Sequence, residues 1–242
     1  MLADSCATIY SRTCHNLSRV SGASSISGSS DHTNKLVHMT KEIGNIFEDY
    51  NKIEDNDNIS TVDFIERHYS FLISYQTENI TDIEDISVMF KNYFTALCDL
   101  GRFTTIISKR DEIKHFIEQL RDKSKLFNGC YIEVEYVFSE ALTSNRNDYK
   151  RAIASLTDIQ NIDPQSENIV INLRYAKLNL RRKIYTKIII VGLIIAFVGL
   201  ALRLACNKKI FWIIDTIGFG IFIMGYLIQY IDNYLTDKKP SH

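Results

Sequence analysis

Two apolar runs near the C-terminal end constrain this chain more than any other feature. The first extends from about residue 186 to 206 and the second from about 210 to 231, with only Asn207, Lys208 and Lys209 between them. Each run is long enough to cross the roughly 30 Å hydrocarbon layer of a bilayer as a helix. The sequence therefore predicts a two-helix transmembrane hairpin over residues 184–235, followed by a short cytosolic tail, 236–242.

The placement of charge predicts how this hairpin is oriented. Lys and Arg total 28 against 29 Asp and Glu, so the chain is close to neutral and no binding to DNA is expected. Because Lys and Arg accumulate on the cytoplasmic side of membrane proteins, both termini are expected in the cytoplasm. The basic residues that flank the hairpin are Arg174, Lys177, Arg181, Arg182, Lys183, Lys187, Lys238 and Lys239.

Upstream of the hairpin the pattern is helical. Residues 1–33 are rich in Ser and Thr and predict a flexible tail. Residues 34–183 show apolar positions at steps of three and four, which is typical of amphipathic helices. We expect Ser60 or Thr61 to cap the second helix and Gly101 to end the third in the left-handed conformation. The predicted fold class is all-α, with a cytosolic helical domain over residues 34–183.

The connection between this domain and the hairpin has no helix breaker. Neither Gly nor Pro occurs from Ser166 to Ile188. A single helix is therefore expected to run from the domain into the membrane, which would join the two parts stiffly.

One segment of the domain resembles a known family. Asp148 to Pro164 looks like the second helix of a tetratricopeptide repeat (TPR), the helix-turn-helix unit of protein-binding solenoids, and a partial likeness extends the match to residues 87–165. The resemblance implies stacked antiparallel helix pairs that bind a protein partner. A generic helical bundle gives the same spacing and stays an alternative. The matching positions are Ala152, Leu156, Ile159 and Pro164.

Motifs for catalysis are weak. Arg110 and His115 match the R-x4-H pattern of HEPN ribonucleases, and the resemblance would imply RNA cleavage, although a solvated helix face gives the same pair. No Gly-rich phosphate loop, H-E-x-x-H or G-x-S-x-G is found. We therefore expect no enzyme and no cofactor.

A calcium-loop pattern also fails in its details. Asp55, Asp57, Asp63 and Glu66 occupy positions 1, 3, 9 and 12, but position 5 is an isoleucine and position 6 is not the required glycine. An acidic linker between two helices is the better interpretation, and no metal site is expected.

Polar and small residues inside the hairpin are more informative. Arg203 and Asp215 flank the turn at similar depth and are expected to pair, with a pore-lining or proton-handling Asp215 as the alternative. Small residues allow close helix approach, either within the hairpin or between subunits. They are Gly192, Ala196, Gly199, Gly218 and Gly225.

Two functions fit this organisation. The first is a membrane-anchored adaptor, whose helical domain binds a protein partner while its hairpin contacts membrane lipid. The second is a membrane-active effector, in which the hairpins form a homo-oligomer that breaches the membrane, a layout that resembles effectors of bacterial defence systems.

Overall fold

The computed structural model describes residues 42–54, 56–206 and 210–237, and within these ranges the backbone is helical with no β-strand. The predicted all-α class is confirmed. The contacts divide the chain into two compact units, Met1–Asn45 and Ile46–His242. The first unit contributes only residues 42–45 to the described ranges, so the predicted tail, 1–33, lies outside them. The other described residues lie in the second unit.

The described helices follow one another with short connections. The first described helical segment, α1, covers residues 42–50. A single 3₁₀ turn, Glu118–Leu120, follows α4, and a π-helical turn, Leu142–Arg146, follows α5. The remaining helices are α2 (Asn58–Ser74), α3 (Ile80–Asp99), α4 (Phe103–Ile117), α5 (Leu126–Ala141), α6 (Tyr149–Ile162), α7 (Glu167–Cys206) and α8 (Ile210–Asp237).

Side-chain caps set several of these boundaries. The expected cap of α2 at Ser60 or Thr61 is wrong, because the Asp57 carboxylate accepts a hydrogen bond from the Ser60 amide at 3.0 Å and the helix begins at Asn58. Asp148 caps α6 in the same way. At the end of α3, Gly101 has φ +68°, which confirms the expected left-handed residue.

Helix α3 forms the centre of the domain. It packs against α2, α4 and α5, and its residues Phe90, Tyr93 and Phe94 are fully buried. The ring of Phe90 meets that of Phe116 on α4 edge to face, with 5.4 Å between centroids. Apolar and polar residues alternate over residues 131–138 as they do in a β-strand, but this segment lies within α5.

Helix α7 belongs to the domain at one end and to the hairpin at the other. Its first turns pack against α6 and bury Ile169, Leu173 and Ala176, which recur at helical spacing. The helix then continues without interruption for 40 residues, or about 60 Å at 1.5 Å per residue. The predicted unbroken connection from domain to hairpin is confirmed. Helix α8 returns along α7 and completes the hairpin.

Candidate functional site

The outer surfaces of α7 and α8 are apolar and exposed. Both helices are long and apolar enough to cross a membrane, and only 11% of the most apolar stretch of each is buried. A core helix of a water-soluble domain would have most of such a stretch covered. The exposed residues include Phe197, Leu204, Trp212, Phe219 and Tyr226. This surface has the character of one that faces lipid.

The contact between α7 and α8 depends on small residues. A Cβ atom added to Gly192 would lie 2.6 Å from the Phe222 amide nitrogen, and one added to Gly199 would lie 2.5 Å from that of Asp215. A Cβ on Gly218 would overlap the backbone of Ala196. A Cβ on Gly225 would lie 2.9 Å from the side chain of Ile189. All five small residues singled out in the sequence thus lie at the contact within the hairpin, where they allow the two backbones to approach closely.

Two charged residues, one near the end of α7 and one near the start of α8, lie close together. Arg203 Nη1 is 3.5 Å from Asp215 Oδ2, and the two side chains are 49% and 16% exposed. Asp215 also lines an apolar groove of about 510 Å³ on the hairpin surface. The other residues that line it are Leu193, Ala196, Phe197, Leu200, Trp212, Thr216, Phe219 and Phe222.

At the end of the hairpin nearest the domain, polar contacts join α7 to α8 and α7 to the domain. Arg181 Nη1 lies 3.2 Å from Asp232 Oδ1 and bridges α7 to α8. Two residues further along, Lys183 Nζ donates a hydrogen bond of 3.0 Å to the backbone carbonyl of Asn147. Asn147 has φ +49° and follows the π-helical turn after α5. The junction is therefore held by side chains as well as by the continuous helix.

The R-x4-H pair does not form a shared site. Arg110 points into the domain, where its guanidinium meets Glu135, while His115 is exposed. Residues five apart lie about 140° apart around a helix, which places the two side chains on different faces of α4.

Arg110 is instead part of a buried ionic cluster between α4, α5 and α6. The Glu135 side chain is fully buried, and Arg110 Nη2 lies 2.6 Å from Oε1 and 2.7 Å from Oε2. The Ser155 hydroxyl donates to Oε2 at 2.5 Å, and Lys114 Nζ is 3.6 Å from Oε1. Burial lowers the pKa of Arg110, but hydrogen bonds to Glu135 and Asp111 outweigh it, so the net pKa lies above the ordinary value. Arg110 therefore stays charged, and the cluster holds α4, α5 and α6 together.

Most of the other residues singled out in the sequence contribute to the core, to turns and helix caps, or to hydrogen bonds between helices. Ala152, Leu156 and Ile159 are buried on the inner face of α6, and Pro164 lies in the turn before α7. Of the calcium-like set, Asp57 is a helix cap and Glu66 accepts a hydrogen bond from Tyr93, while Asp55 lies outside the described residues. Within the described ranges no three His, Cys, Asp or Glu side chains converge on a metal site.

Sequence reasoning missed the Glu135 cluster and the contacts at the junction. A signal for the first exists in the sequence, because Glu135 shares a helical face with the apolar residues Tyr131 and Phe138. An acid buried within an apolar face is costly unless it is paired or hydrogen-bonded, so a partner on another helix can be expected. The contact between Lys183 and the Asn147 carbonyl has no such signal, since its acceptor is a backbone atom.

Comparison with known proteins gives no match, whether to a protein family, to a characterised protein or to a solved structure.

Proposed function

We propose that this protein is a membrane-anchored helical adaptor, with both termini in the cytoplasm and a helical domain that binds a protein partner at the membrane face. The observation that carries the proposal is the continuity of α7, which is packed into the domain at Ile169, Leu173 and Ala176 and exposes an apolar surface from Ile188 onward. A domain joined this way holds a fixed distance from the bilayer, because no flexible linker intervenes.

The surface that would receive the partner lies on α7 itself. Ile171 and Tyr175 are 59% and 57% exposed and lie one helical turn apart, on the part of α7 that precedes the membrane. Tyr175 stands about 20 Å from Ile188 along the helix, so this apolar pair projects well clear of the lipid headgroups. Neighbouring exposed apolar residues, unlike isolated ones, are typical of protein interaction sites.

The test is cross-linking in intact membranes followed by affinity capture. An Ile171→Asp, Tyr175→Asp variant is compared with an Ile59→Asp control, in which another isoleucine, 61% exposed, is changed on α2. We expect the same partner with the wild type and with the control and its loss from the variant. Identical captures from all three proteins would contradict this surface, and the absence of any specific partner would contradict the adaptor function.

A second candidate function is a membrane effector that oligomerises through its hairpin. The observation in its favour is Asp215, a carboxylate within the apolar groove whose ion pair with Arg203 is long at 3.5 Å. Ionisable residues at such positions often mark a polar path. Measurement of membrane potential on expression tests it, with Asp215→Asn compared with Asp232→Asn. Collapse of the potential by the wild type and by Asp232→Asn but not by Asp215→Asn would support it, whereas an unchanged potential with all three would contradict it.

A further inference from the structure

A ring of cations surrounds α7 where it leaves the domain. We name Arg181, Arg182, Lys183 and Lys187 the basic collar; all four are exposed. No Asp or Glu occurs anywhere between residues 168 and 214, so the collar has no acidic neighbour on its own helix. From α8, Asp232 reaches the collar and pairs with Arg181.

The position of the collar along α7 matches the headgroup layer of a bilayer. The apolar stretch begins at Ile188, directly after Lys187. At 1.5 Å per residue, Lys183 stands about 7 Å and Arg181 about 10 Å from that point. The headgroup layer is about 5–7 Å deep on each side, and electrostatic attraction extends about 8 Å further in physiological salt. All four cations therefore lie within reach of lipid phosphates.

The structure also fixes the collar in place. Lys183 Nζ donates to the Asn147 carbonyl and lies 6.0 Å from the ring centroid of Tyr149. The connection between α5 and α6 is thereby held at the level of the collar. Because α7 is continuous, the cations and the domain keep the same position relative to the apolar stretch of the helix.

We propose that the basic collar binds anionic phospholipid headgroups of the leaflet from which α7 enters the membrane, and so seats the base of the helical domain on that surface. Clusters of four or more Lys and Arg immediately next to a transmembrane helix attract anionic lipid in this way. The inference rests on the proposed membrane insertion and adds the class of lipid to it.

The test uses the full chain reconstituted in bilayers of phosphatidylcholine with a minor fraction of phosphatidylserine. Spin-labelled analogues of each lipid report which one is enriched at the protein surface. The variant is Arg182→Gln, Lys187→Gln, which spares Lys183 and Arg181. The control is Lys123→Gln, Lys125→Gln, which removes the same charge from exposed residues just before α5. That site lies about 24 Å from the Asn147 end of α5.

The wild type and the control are expected to prefer phosphatidylserine at least about threefold at low salt, and the variant to lose most of this preference. Salt of about 0.5 M should abolish the preference, while millimolar inorganic phosphate should not. Equal preference in variant and wild type, or displacement by free phosphate, would overturn the proposal. Extraction with alkaline carbonate separates the two claims: protein that resists extraction but shows no lipid preference contradicts the collar alone, whereas extracted protein contradicts the anchor.

Discussion

Lys183 Nζ donates a hydrogen bond of 3.0 Å to the carbonyl oxygen of Asn147, which ties the part of α7 just before its apolar stretch to the connection between α5 and α6. This contact, the buried residues of the first turns of α7 and the uninterrupted helix together make the junction rigid. A rigid junction means that the domain and the hairpin keep one relative orientation.

Interrupting α7 at the junction should release the domain. Leu180→Pro removes a backbone hydrogen bond and clashes with the carbonyl one turn earlier, which costs about 3 kcal/mol or more. Hydrogen exchange over residues 177–187 should be slow in the wild type and in a Leu180→Ala control and fast in the proline variant. Fast exchange of these amides in the wild type would show that the helix is not continuous there.

The buried ionic cluster predicts a large effect from removing one charge. Arg110→Ala leaves the fully buried Glu135 with only Lys114, at 3.6 Å, as a cationic partner, and removing one partner of a buried ion pair costs about 3–5 kcal/mol. The double variant Arg110→Met, Glu135→Leu removes both charges and should be much less destabilised. Denaturant unfolding of the detergent-solubilised protein measures both.

A surface ion pair supplies the control for that experiment. Arg121 contacts Glu118 at 2.6 Å but is half exposed, so Arg121→Ala should cost much less than Arg110→Ala. Equal losses for Arg110→Ala and Arg121→Ala would contradict the assignment of Arg110 to the interior.

The close approach of α7 and α8 predicts different outcomes at two glycines of the same helix. A Cβ at Gly218 would overlap the Ala196 backbone, whereas one at Gly220 meets nothing within 4 Å. Gly218→Ala should destabilise the hairpin by about 1–3 kcal/mol through overpacking, and Gly220→Ala should not. Thermal unfolding in detergent compares them. A stable Gly218→Ala protein would mean that the two helices do not meet as described.

The domain should also show a pH dependence that originates on α5. Burial raises the pKa of Glu133; the charge of Lys91 partly offsets this and that of Glu140 adds to it. The folded state therefore binds this proton more tightly than the unfolded state, where the pKa is near 4.5. The stabilising contribution is fully present below pH 4.5 and is lost as the pH rises through the folded pKa.

Glu133→Gln removes this titration. The variant should be more stable than the wild type at neutral pH, and the difference in free energy of unfolding should shrink as the pH falls through the folded pKa of Glu133 towards 4.5. Denaturant unfolding at several pH values measures the difference. A difference that does not change with pH, or a variant that is less stable at neutral pH, would show that Glu133 ionises without penalty.

The sequence predicted the helices because their apolar spacing is local, and it predicted the continuity of α7 because Gly and Pro are absent from residues 166–188. It also predicted that Arg203 and Asp215 lie at one depth, since positions equally far from a turn come level in a hairpin. It missed Asp57 as the cap of α2 because Ser60 and Thr61 are equally good cap residues.

The contacts that join separate helices were harder to foresee. The spacing of Arg110 and His115 predicts a pair on the surface of one helix, yet the partner of Arg110 is Glu135, 25 residues away on α5. Spacing within one helix does not identify a partner on another. The same limit applies to Lys183, whose acceptor on Asn147 belongs to the backbone.

The most direct test of the membrane hairpin is protease protection with an epitope tag at each end of the chain, in sealed vesicles of both orientations. Both tags should be digested from outside in inside-out vesicles and protected in right-side-out vesicles, since two crossings return the chain to the cytoplasmic side. Two results would contradict the hairpin. One is digestion of one tag in inside-out vesicles and of the other tag in right-side-out vesicles, and the second is release of the protein by alkaline carbonate.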